Sequence, residues 1–86
     1  LADKTVTAEI QAAWMSVLST IEKETARSMF ETWIKDAAPI HFEDGLLQVG
    51  VRDNAVREWM ESRLQSSIER LLIGALGHVV KVEFVV

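Results

Sequence analysis

The sequence contains no cysteine and a single proline, Pro39. Without cysteine there is neither a disulfide nor a thiolate metal site to brace a small fold, so packing must supply the stability. A cysteine-free composition also fits a reducing cytoplasm, the expected location. Basic charge is scarce: nine Lys and Arg against thirteen Asp and Glu leave a formal net charge of −4. That balance argues against strong nucleic-acid binding, which needs cations clustered on phosphates. No apolar run is long enough to span a bilayer and the start carries no signal-peptide pattern, so no membrane partner is expected. The phosphate-loop motif G-x-x-x-x-G-K-[ST] is missing as well.

What is present is enough apolar material for one core. Hydrophobic residues make up 49% of 86 residues, the size of one small domain. The chain does not begin with Met, and the expectation is an excised domain or a processed product. Residues 1–6 are polar and read as a flexible end, with a single domain over residues 7–86. Ile10, Trp14, Val17, Leu18 and Ile21 fall at helical spacing, with Thr7 as N-cap and Glu9 in the first turn. A second helix, capped by Thr25, carries Met29, Phe30, Trp33, Ile34 and Ala37 and stops before Pro39.

Asp44-Gly45 joins two alternating segments as a type I′ hairpin. The register predicted from it sets Phe42 opposite Leu47, Ile40 opposite Val49 and His41 opposite Gln48. Asp53 or Asn54 caps a third, long helix with Ala55, Val56, Trp59, Met60, Leu64, Ile68, Leu71 and Leu72 on its stripe; a bend is expected around "ESRLQSS". Gly74 and Gly77 end it. In the last strand Val80, Val82 and Phe84 share one face, with Lys81 and Glu83 on the other. The order is α-α-β-β-α-β, an α+β class domain.

Candidate chemistry is sparse. His41 and His78 have no nucleophile at a recognisable spacing. His41, Glu43 and Asp44 lie close in sequence, but a solvated strand end is the better reading, since a metal needs three or four convergent ligands. Glu22, Glu24, Glu31, Asp36, Glu58 and Glu61 fall on polar helix faces rather than in a pair that would do acid–base work. Neither catalysis nor a cofactor is expected. "GALG" matches the GxxG of RNA-binding KH loops but contains Ala-Leu and precedes a strand, which favours a helix end. Arg63 and Arg70 lie seven apart on the third helix, hence on one side of it, and offer at most a weak single-stranded DNA contact. Core packing is the first reading for Trp33 and Trp59, while Trp14 is open between core and interface.

The stretch "AWMSVLSTIEKETARSMFETWIKDAAPIHFEDGLLQVGVRDNAVREWM" resembles the N-terminal domain of the bacterial replication initiator DnaA. The resemblance rests on Trp14 in the first helix, on Phe30, Trp33 and Ile34 in the second, on the short hairpin, on "DNAVREWM" opening the third, and on a Val- and Phe-rich last strand. It implies a KH-like fold, a three-stranded sheet with helices packed on it. It also implies a protein-interaction domain that self-associates and recruits the replicative helicase or initiation regulators. Trp14 and Ile10 on the first helix are the implied self-association residues. Exposed positions on the second helix and at the start of the third are the implied docking patch: Ser28, Met29, Thr32, Asn54, Ala55 and Glu58. The chain departs from the family at Ala55, where a large aromatic is frequent, and at Met29, where an acidic residue is frequent. The alternative reading is a KH-like module for single-stranded nucleic acid.

Overall fold

The computed structural model describes residues 6–86. Most of the expected flexible N-terminal segment lies outside the described residues. Val6, at its end, is half-buried and packs against the core.

Helix α1 spans Ala8–Glu24, and the Thr7 hydroxyl accepts from Ile10 N–H at 3.2 Å. Its buried residues are Ile10, Ala13, Trp14, Val17 and Ile21, one stripe at helical spacing. Thr25 does not open the next helix as expected. Its extended backbone closes α1, and Ala26 takes the cap position before α2 (Arg27–Met29) with no side-chain hydrogen bond.

From Phe30 to Ile34 the helix widens into a π-turn, closed by Lys35 N–H donating to Phe30 C=O at 3.0 Å. The wider turn changes which side chains face inward. Ile34 is fully buried and Ala37 nearly so, whereas Phe30 and Trp33 are half-buried. Core packing is the first reading of Trp33 from the sequence, and it does pack against the core, but at its margin and not at its centre. The π-turn packs against the third helix, and Ile34 holds the fully buried position.

Strands β1 (Ala38–Glu43) and β2 (Leu46–Gly50) form the hairpin, with positive φ at both turn residues, 53° at Asp44 and 78° at Gly45. Phe42 faces Leu47 and His41 faces Gln48, as the two-residue turn dictates. Ile40 does not face Val49. Pro39 takes that place, and a bulge between Pro39 and His41 turns Ile40 outward, 53% exposed. Ile40 leans over Gly50, where a Cβ would stand 3.2 Å from Ile40 Cγ2. Pro39, which has no N–H to donate, is tolerated because β1 is an edge strand.

Helix α3 (Asn54–Arg63) starts where the Asp53 carboxylate accepts from Val56 N–H at 2.9 Å. The helical run breaks at Leu64 and resumes as α4 (Gln65–Leu76). Gly77, at φ 81°, ends α4 in the left-handed conformation, while Gly74 lies inside the helix rather than at its end. "GALG" is therefore a helix terminus and not a nucleic-acid loop between helices.

Strand β3 (Lys81–Val85) pairs in parallel with β2, giving the mixed sheet order β1-β2-β3 with α3 and α4 as the crossover. Leu47, Val49, Val82 and Phe84 face the helices and are buried; Lys81 and Glu83 face outward. The domain is α+β, with the helices on one face of a three-stranded sheet. Trp14, Val17, Ile34, Leu47, Met60, Ile68 and Leu72 form the centre of its core.

Candidate protein-docking site

Two segments meet at one end of the helical layer. The first is α2 with its π-turn, and the second is the start of α3. Arg52, just before α3, ties them together. Its guanidinium donates to Thr32 C=O at 3.1 Å, lies 3.9 Å from Asp36, and approaches the Asp53 carboxylate at 3.5 Å. Asp53 in turn caps α3. The hydrogen bond from Val56 N–H holds its carboxyl below the usual value, partial desolvation opposes this, and Arg52 adds to the lowering.

A ring stack joins the same two segments. Trp33 and Trp59 lie 5.3 Å apart between centroids with their planes 11° from parallel. Both are half-buried, so one side of the pair closes the core margin and the other reaches the surface. Arg63 extends over the Trp59 ring at 5.8 Å, a cation–π arrangement.

Around this junction Ser28, Met29, Thr32, Asn54, Ala55 and Glu58 are all exposed. Met29 is 36% exposed and so is not a core residue. The family resemblance implied these six positions; neither it nor the sequence pattern pointed to the two devices that hold their segments together, Arg52 and the tryptophan stack. A ring stack between two helices has no spacing signature in the chain.

The other sequence-predicted positions fall elsewhere. Trp14 and Ile10 are 1% and 3% exposed, and Trp14 Nε1 donates to Ala37 C=O at 3.2 Å inside the core. Neither side chain presents a contact surface for another molecule, so their expected part in self-association is corrected. The stripe of α1 needed both residues to cover the sheet. Arg63 and Arg70 do not share one helix side, because the break at Leu64 puts them on different helices. His41, Glu43 and Asp44 line a shallow depression with Leu46 and Gln48, where His41 Nε2 is 3.4 Å from Glu43. Among the described residues no three His, Cys, Asp or Glu groups are placed to hold a metal. No described helix is long and apolar enough to cross a membrane.

Comparison with known proteins gives this geometry a family. The family model for the DnaA N-terminal domain matches residues 11–73. The chain belongs to this DnaA N-terminal domain family. Curated relatives include the chromosomal replication initiator protein DnaA of Nostoc punctiforme, 31% identical over 71 residues, 83% of this chain and 16% of the relative. That of Nostoc sp. is 32% identical over 73 residues, 85% of this chain and 16% of the relative. That of Gloeobacter violaceus is 27% identical over 77 residues, 90% of this chain and 17% of the relative. The chain thus spans about one-sixth of the length of these DnaA proteins.

Proposed function

We propose that this chain is a non-catalytic protein-interaction domain of a bacterial replication initiator, acting in the cytoplasm without a cofactor. Its partner is the replicative helicase or a regulator of initiation, docked on the face shared by α2, the π-turn and the start of α3. The observation that carries this reading is the junction itself. Arg52 and the Trp33–Trp59 stack hold two sequence-distant segments side by side, which supports reading the six exposed residues on them as one pre-formed surface. Pre-organisation lowers the ordering cost of binding. The test is a pull-down of the cognate helicase and regulators with Thr32→Glu and Glu58→Lys. Binding that falls in both supports the face; binding unchanged in both removes it.

Weak self-association through α1 belongs to the same proposal, carried by its outer face rather than by Trp14. Met15, 58% exposed, is the large apolar residue there. A single-helix contact is smaller than the ~1,200–2,000 Å² of a stable interface. Sedimentation of Met15→Glu against the parent over a wide concentration range checks it. Single-stranded DNA binding is at most weak, since Arg63 is engaged over Trp59 and the net charge is −4. Tight, salt-sensitive binding lost on mutating Arg63 and Arg70 would instead favour the nucleic-acid module.

A further inference from the structure

Strand β3 is paired on one side only. Toward β2, Lys81 N–H donates to Gly45 C=O at 2.8 Å and Val85 C=O accepts from Val51 N–H at 2.8 Å. Strand alternation therefore points the polar backbone groups of Val82 the other way, to the free edge. There they meet α4. Val82 N–H donates to Glu69 Oε2 at 2.8 Å, and Val82 C=O accepts from Gln65 Nε2 at 2.7 Å. Gln65 Nε2 also donates to Glu69 Oε2 at 3.3 Å, which closes the set. Two side chains one helical turn apart thus stand where the C=O and N–H of a fourth strand would be. Gln65 is the first residue of α4, whose start has no side-chain cap, so the same bonds fasten the helix just after its break.

The segment beneath these bonds is "VVKVEFVV". It is rich in β-branched residues, has no proline, and its one Lys and one Glu cancel, the composition of a strand prone to pairing. Uncovered, its edge is self-complementary. In an antiparallel pair centred on Val82, the two copies of that residue exchange both N–H···O bonds. The two-fold symmetry then sets Lys81 opposite Glu83 of the second copy and Val80 opposite Phe84. We propose that Gln65 and Glu69 form a latch that withholds the β3 edge from pairing with β3 of a second copy of this chain.

The inference is independent of the docking face. Its test is the Gln65→Leu/Glu69→Leu chain, followed by sedimentation across concentration and by amide exchange in dilute solution. The expected result is association beyond that of the parent and exchange at Val82 faster by about tenfold or more. Adding Lys81→Glu sets like charges opposite one another and abolishes the added association; adding Glu83→Lys as well restores it. A folded latch variant that sediments like the parent overturns the proposal, as does association indifferent to the charges at 81 and 83. Should the double change prevent folding, Glu69→Ala alone is carried through the same series. In the parent, a Val82 amide that exchanges as fast as that of exposed Val79 overturns the latch directly.

Discussion

Trp14 is fully buried and the Trp33–Trp59 pair only half-buried, although all three tryptophans sit on apolar stripes at helical spacing. Trp14 is 1% exposed and spends its one polar atom on a buried carbonyl, Ala37 C=O. Trp33 and Trp59 are half-exposed and stack on each other across two elements. The difference teaches that a stripe identifies the side of a helix that turns inward, and not how far from the rim a given residue lies. What crosses over the helix decides that. Sheet and α4 cover α1, whereas the π-turn packs on α3, and the two tryptophans there lie at the margin of the core.

The comparison breaks hardest at Trp14. Trp14→Ala should cost about 3–5 kcal/mol in chemical denaturation, a large share of the stability of a domain this small. Trp14→Phe sharpens the point: it keeps much of the volume but leaves Ala37 C=O unpaired, at a cost of about 1–3 kcal/mol. At the rim, Trp33→Ala and Trp59→Ala should each cost less than Trp14→Ala. A double-mutant cycle between them should return a coupling of about 0.5–1.5 kcal/mol. Equal costs at Trp14 and Trp33 would erase the distinction between the two environments.

The smallest expected effect separates the two regions by pH. Thr7, which caps the helix of Trp14, does not titrate; Asp53, which caps the helix of Trp59, does. The folded pKa of Asp53 lies below its ordinary value of 3.8, so its ionised form favours the folded state. That contribution is complete above the unfolded pKa and is lost as pH falls through the folded one. Acid should therefore shift the indole N–H resonance of Trp59 before that of Trp14. Asp53→Asn, which keeps an acceptor but cannot titrate, should remove the early shift.

Local signals were legible in the sequence. Thr7 and Asp53 as caps, Asp44-Gly45 as the turn, the pairs Phe42–Leu47 and His41–Gln48, and the alternation through Val80, Val82 and Phe84 each depend on neighbours in the chain. The element order follows from them. What escaped depends on a phase change or on a remote partner. The bulge at Ile40 displaces one residue of the register, and nothing near it announces the slip except Pro39. The π-turn adds a residue to one turn and so moves Trp33 to the rim. Leu64 is a good helix former, yet it marks the break between α3 and α4. At the candidate site the six positions came from the family resemblance rather than from residue pattern, and the structure shows each of them exposed. Arg52 and the tryptophan stack were not legible, because each acts across a gap in sequence.

The order of residues along the chain also gives the latch a place in time. The hairpin closes on a two-residue turn, whereas β3 must find β2 across a separation such as the 35 positions between Gln48 and Glu83. Contacts so far apart form late, and an unpaired Val-rich strand is at greatest risk of meeting another chain while it waits. Gln65 and Glu69 precede Val82, so synthesis from the N-terminus delivers the guard before the strand. The nascent chain carries its own chaperone for β3, made of two side chains on the helix that emerges just ahead of it.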